Sequence, residues 1–247
     1  MLRGLEVASS TMASVLRLGA GWKARPVGRQ PAKLLELYEF EACPFCRRLR
    51  EAMSEYDLDA MVYPCPRGGT RFRPKALALG GKEQFPFLVD PNATGGTDGT
   101  PWMYESADIV AYLRRTYDGP PAPMWLGPLG LASGGMASAV RGGRGRVARP
   151  SRHPARPLEL WSFEASPYSR LVREVLCELE LPYVLHNVAK GSPRREAFVA
   201  RSGKMQVPYL VDPNGDGPGG GAGVFESADI VRYLVEAYAT SSTSSAV

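Results

Sequence analysis

Two cysteines one helical turn apart, Cys43 and Cys46 in Cys43-Pro44-Phe45-Cys46, are the residues of this chain best suited to chemistry. Such a pair forms or resolves a disulfide when its first thiol ionises easily, and ionisation is favoured just before a helix, where unpaired N–H groups and the dipole stabilise a thiolate. Pro44 suits the first helical position because it has no N–H to lose. No second Cys-x-x-Cys exists and His153 and His186 lack ligand spacing, so no metal is expected. Cys65 reads as an auxiliary thiol or an inert buried one, and Cys177 as helix packing.

These cysteines need a strand to deliver them and a helix to receive them. Leu34 to Phe40 has the apolar and aromatic density of a buried strand, and Pro44 to Tyr56 has helical spacing. A strand at Ala60 to Tyr63 and a helical piece near Pro74 to Leu79 follow. Gln84 to Asp90 is a strand opening at Pro86, 92–100 a Gly/Thr-rich hairpin loop, Trp102 to Tyr104 a short strand, and Ser106 begins a helix through Tyr117.

The pattern then repeats. Leu158 to Ser169 overlays Leu35 to Cys46 at an offset of 123, Gly203 to Asn214 answers Gly81 to Asn92, and Phe225 to Val231 answers Tyr104 to Val110. In the repeat, Ser166-Pro167-Tyr168-Ser169 replaces the cysteine motif. A serine hydroxyl neither forms a disulfide nor ionises near neutral pH, so the second block serves ligand binding or structure rather than dithiol chemistry.

The expected organisation is a basic extension over 1–33, a first domain over 34–118, a Pro/Gly/Arg-rich linker over 119–157, a second domain over 158–240 and a disordered tail over 241–247. The net charge of +5 belongs to the extension and the linker, at +5 and +6, while each domain carries −3. Nucleic-acid binding is not expected, since no recognition motif or aromatic platform accompanies the arginines. Residues 1–33, Ser- and Arg-rich and nearly free of acid, fit either an organelle transit peptide or a flexible extension. The linker carries an apolar run, Trp125 to Val140, followed by six arginines. It reads either as a plain connection or as a membrane contact through 119–157. Four unevenly spaced cysteines favour a reducing compartment.

Each block resembles the N-terminal, thioredoxin-fold domain of glutathione S-transferases, on the strength of the cysteine motif, the two Gln-x-Pro strands and the two Glu-Ser-Ala-Asp helix starts. The cysteine motif itself looks like that of glutaredoxins, and the tandem arrangement is similar to that of plant and algal plastid proteins. The resemblance implies an α/β chain of two thioredoxin-like domains, each a mixed sheet flanked by helices, without the all-helical domain that follows in familiar transferases. It implies glutathione as cosubstrate, with Phe85 and Pro86, and Val207 and Pro208, presenting a cis-proline turn to its cysteinyl backbone. Glu105 and Ser106, and Glu226 and Ser227, would hold its γ-glutamyl end. Lys82 and Lys204 would hold its glycine carboxylate, and Ser166 would face its sulfur.

Three functions follow as expectations. One is a glutaredoxin-like oxidoreductase with Cys43 as nucleophile and Cys46 as resolving thiol, acting on protein disulfides or glutathionylated proteins. The others are a glutathione transferase and a non-catalytic scaffold. The expected setting is the chloroplast stroma or the stromal face of a membrane, with cytosol and mitochondrion as alternatives.

Overall fold

Strand residues alternate sides, and Leu35, Leu37 and Tyr38 show what that dictates. The leucines are fully buried on one face of the sheet against helices, while Tyr38 is buried on the other face with Phe72, Ala76 and Phe87. The computed structural model describes residues 2–93, 102–121, 128–215 and 223–240. Most of the hairpin loop expected over 92–100, the Trp125 end of the apolar run and the tail over 241–247 lie outside these residues.

The first half contains α1 (Leu2–Leu16), β1 (Leu35–Glu39), α2 (Pro44–Tyr56), β2 (Ala60–Pro64), α3 (Arg73–Gly80), β3 (Phe87–Val89), β4 (Trp102–Met103) and α4 (Ser106–Thr116). The second half repeats that order: α5 (Pro128–Val140), β5 (Leu158–Ser162), α6 (Pro167–Glu178), β6 (Tyr183–Asn187), α7 (Arg195–Ser202), β7 (Tyr209–Val211), β8 (Val224–Phe225) and α8 (Ser227–Tyr238). In each half the first two strands run parallel and the third and fourth add antiparallel.

The two halves share one sheet. β2 pairs antiparallel with β6, Ala60 opposite Leu185 and Val62 opposite Tyr183, giving eight strands in the order β4-β3-β1-β2-β6-β5-β7-β8. One hydrophobic core runs under the join, from Leu49, Met53, Ile109 and Leu113 to Val172, Leu176, Ile230 and Leu234.

The stretches expected to be extension and linker are built into this fold. Helix α1 packs on α6 and α5 packs on α2, so each lies against the half that it does not precede. Behind each helix the chain bonds across as well: Ala24 N–H donates to Lys190 O at 2.8 Å, and Arg67 N–H donates to Arg146 O at 2.7 Å. The sequence does carry a signal for this. Met12-Ala13-Ser14 with Arg17 and Ala24-Arg25-Pro26 recur as Met136-Ala137-Ser138 with Arg141 and Ala148-Arg149-Pro150, at an offset of 124. Its short matches are diluted by alanine and glycine. The linker arginines meet acids: Arg141 bonds Glu174 twice at 2.7 Å, and Arg149 bonds Glu178 at 3.2 Å. Among the described residues no helix is long and apolar enough to cross a membrane.

Between α2 and α6 lies a lattice of buried charge. Arg50 donates to Glu39, to Glu164 at 3.0 Å and to the Glu41 carbonyl at 3.1 Å. Arg173 reaches Glu41 at 3.1 Å and Glu164 at 2.7 Å, and Arg47 approaches Glu164 at 3.4 Å. At the flanks Arg17 bonds Glu51 as Arg141 bonds Glu174, which extends the two-fold relation to α1 and α5.

Burial by itself would push the Glu164 carboxyl up, but the guanidiniums of Arg173, Arg50 and Arg47 hold it at about 2. Glu164→Gln is expected to cost about 3–5 kcal/mol in urea unfolding at neutral pH, the range for breaking one side of a buried ion pair. Because Glu164 titrates lower in the folded chain than in the unfolded one, where it titrates near ~4.3, its contribution is complete above that value and fades as pH falls toward about 2. The gap between wild type and variant should therefore narrow over that window; a constant gap would contradict this account.

Candidate functional site: the N-terminus of α2

Cys43 is the cap of α2. Its backbone is extended (φ −75°, ψ 123°), and its sulfur accepts the Cys46 N–H at 3.4 Å and lies 3.9 Å from the Phe85 carbonyl. Pro44 occupies the first turn. The thiol is pulled below its ordinary value by hydrogen bonding from the Cys46 side chain and from the backbone N–H groups of Cys46 and Phe45, which together outweigh burial. Cys46, fully buried, is pushed well above its ordinary value by burial, by Cys43 beside it and by Glu39. One thiol is therefore prepared to ionise and its neighbour to stay protonated. Cys65 and Cys177 are buried, and burial raises both well above the ordinary value. All four cysteines are free.

The Phe85–Pro86 bond is cis, as is Val207–Pro208. Beside Cys43, Phe45, Gln84, Phe85, Pro86, Glu105 and Ser106 enclose a recess of ≈ 240 Å³. Glu105 holds the left-handed backbone (φ 64°) that few side chains other than glycine adopt, and its carboxylate accepts a hydrogen bond from Gln84. Ser106, buried, is the first residue of α4. A carboxylate, a hydroxyl and a helix N-terminus thus converge where an amino-acid end carrying both charges can be held.

The second half keeps this frame. Glu226 has the same φ of 64° and accepts from Gln206, Ser227 is buried at the start of α8, and Ser166 caps α6 by accepting the Ser169 N–H at 3.2 Å. What it lacks is the thiol chemistry. Ser166 and Ser169 replace the cysteines, and Ser162 stands where Glu39 does; the Oγ atoms of Ser162 and Ser169 have no hydrogen-bond partner among the described residues.

Of the site residues named from the sequence, Cys43, Cys46, Phe85, Pro86, Glu105 and Ser106 come together around the N-terminus of α2. Lys82 lies outside the recess lining, exposed, with its ammonium 5.7 Å from the Tyr104 ring, and Lys204 sits 4.2 Å from the Phe225 ring. Sequence reasoning passed over Gln84 and Gln206 as partners of the glutamates, although both stand in the Gln-x-Pro stretches. It also missed a second recess of ≈ 290 Å³ on the other side of Cys43, walled by Phe40, Ala42, Pro44 and, from α5 and the turn after it, Ser138, Ala139 and Arg146. A wall from so distant a segment has no local signature. Among the described residues no group of His, Cys, Asp and Glu is arranged to hold a metal ion.

Alkylation of the reduced, folded protein by iodoacetamide should modify Cys43 first, with a pH midpoint below that of a free thiol, about 8.5. Cys46, Cys65 and Cys177 should react only on unfolding. Mass mapping of the alkylated peptides checks this, and first modification at Cys46 would refute it.

Comparison with known proteins agrees with this geometry. Among curated proteins and among solved structures, nothing matches the chain. The family model for the glutathione S-transferase N-terminal domain matches it twice, over residues 37–121 and 160–242. Two copies in one chain, each with the strand–helix start, the cis-proline turn and the Glu-Ser helix entry in place, leave one assignment: this chain belongs to the glutathione S-transferase N-terminal domain family, in tandem.

Proposed function

We propose that the chain is a glutathione-dependent thiol–disulfide oxidoreductase acting through Cys43. The observation that carries this reading is the pairing, at one helix start, of a thiol drawn toward ionisation with a recess able to hold an amino-acid end. On this reading the Phe85 backbone meets the cysteinyl unit of glutathione, Glu105 takes its ammonium and the Ser106 hydroxyl and N–H take its α-carboxylate. Lys82 would reach the glycine carboxylate by leaving the Tyr104 ring.

The Cys43 thiolate attacks a glutathione-bearing disulfide, forming one S–S bond as another breaks, and the displaced thiolate takes a proton from solvent. Cys46 can then displace glutathione from Cys43 by giving up its own proton, a step that burial makes slow at neutral pH. The substrates are glutathionylated proteins or small mixed disulfides. The setting is a reducing compartment, and the tandem resemblance favours the plastid stroma.

One observation favours a different use of the second half. Beside Ser166, Val15, Leu18, Trp22, Ala165 and Pro167 line an uncharged recess of ≈ 460 Å³, which suits binding of glutathione with an apolar sulfur substituent better than disulfide exchange. Ser166, Val207, Pro208, Lys204, Glu226 and Ser227 would hold the peptide there as their counterparts do in the first half.

Exposure of the reduced protein to glutathione disulfide at pH 7 should add one glutathionyl group, on Cys43. The adduct should persist at neutral pH and collapse to the Cys43–Cys46 disulfide as pH rises. Mass spectrometry of the intact protein and its peptides reads both steps. Cys43→Ser should take up none, and a wild-type chain that takes up none would overturn the proposal.

A further inference from the structure

Internal duplication supplies a control for the recess beside Cys43, because the other half contains its counterpart. The two cavities are built from equivalent positions: Ala42, Pro44, Ser138 and Gly143 in one correspond to Ala165, Pro167, Ser14 and Gly19 in the other. They differ in chemistry. Arg146 stands where Trp22 does and Ala139 where Val15 does, so the Cys43 recess has a cation and no acid in its wall while the Ser166 recess has no charge at all.

Two observations mark the polar groups as available. Arg146 is exposed, and among the described residues its guanidinium has neither an ion-pair nor a hydrogen-bond partner. Its neighbours do pair, Arg141 with Glu174 and Arg149 with Glu178. The Ser138 hydroxyl oxygen is buried without a partner, whereas its counterpart Ser14 donates to the Ala165 carbonyl at 2.9 Å. An unused charge thus lines one cavity with Cys43 and Ser138, and the Ser138 hydroxyl, tucked away from solvent and bonded to nothing, is free to turn into that cavity.

We infer that this recess selects disulfides whose non-glutathione arm is anionic, with Arg146 supplying the charge and Ser138 a hydrogen bond. The inference rests on the oxidoreductase reading. With glutathione in the recess on the Phe85 side, Cys43 attacks the glutathione sulfur and the departing thiolate leaves through the cavity beneath Arg146. One S–S bond forms and one breaks, the leaving thiolate takes up a proton from solvent, and a second glutathione regenerates Cys43 with release of glutathione disulfide. The same cation stabilises the negative charge that grows on the leaving sulfur.

The test compares three mixed disulfides of glutathione, made with 2-mercaptoethanesulfonate, 2-mercaptoethanol and cysteamine, by kcat/KM on the full chain. At low salt the anionic substrate should exceed the cationic one by about tenfold, the scale of one charge pair at partly wet contact distance. The ratio should shrink as salt rises, because the guanidinium is exposed. Arg146→Trp, which installs the residue of the second half, should bring the ratio close to one, Arg146→Glu should invert it, and Ser138→Ala should lower the anionic rate more than the cationic one. A wild-type ratio near one, or a ratio that both Arg146 variants leave unchanged, overturns the inference while the oxidoreductase reading stands. Turnover of none of the three overturns both.

Discussion

Charge taken out of water must be matched where it lands, and the lattice between α2 and α6 shows how strongly that condition binds this molecule. Arg50 and Arg173 are 2% and 1% exposed, and none of Glu39, Glu41 and Glu164 exceeds 3%. Any one of these groups left unpaired costs several kcal/mol, so each half depends on the other to complete it. Glu164 of the second half receives Arg47 and Arg50 of the first, and Glu41 of the first receives Arg173 of the second. The lattice also fixes register. Glu41 N–H bonds the Cys177 sulfur and Glu164 N–H bonds the Ser54 hydroxyl, so the turns before both functional helices are held by the opposite half.

The same constraint acts at the turns that follow α1 and α5, each of which returns to the half that its helix precedes. Glu51 and Glu174 are buried on the outer flanks of the lattice, and Arg17 and Arg141, just past the two helices, bond them. Because α5 lies against α2, its C-terminal end becomes a wall beside Cys43, and α1, lying against α6, does the same beside Ser166.

The two halves diverge at a small set of positions around a common frame. Cys43, Cys46 and Glu39 become Ser166, Ser169 and Ser162, and Arg146 corresponds to Trp22. Burial raises the Glu39 carboxyl to about 7, with Glu41 and Glu164 adding to the rise and Arg50 opposing it, and this charge lies close enough to hold the Cys46 thiol up. Where the thiols are gone, so is the acid. None of these positions belongs to the core shared by the two halves, which is why one fold carries a cysteine pair at one end and a serine pair at the other.

The sequence by itself determined the strand–helix start that presents Cys43, the proline turns at Phe85 and Val207, the Glu-Ser helix entries and the duplication, because each rests on local periodicity, turn chemistry or direct self-similarity. Only the tertiary structure decided that the duplicated sheets join at β2 and β6, that residues 2–33 and 128–157 belong to the fold, and that α5 walls the thiol. The physical reason is the same in each case. Edge pairing is selected by what the neighbouring surface offers rather than by strand pattern. A helix rich in small and polar residues looks solvated until the arginine that follows it is seen to meet a carboxylate buried on another helix, Arg17 with Glu51 or Arg141 with Glu174. Local chemistry is written in neighbours along the chain, whereas charge matching between separate helices is written only in space.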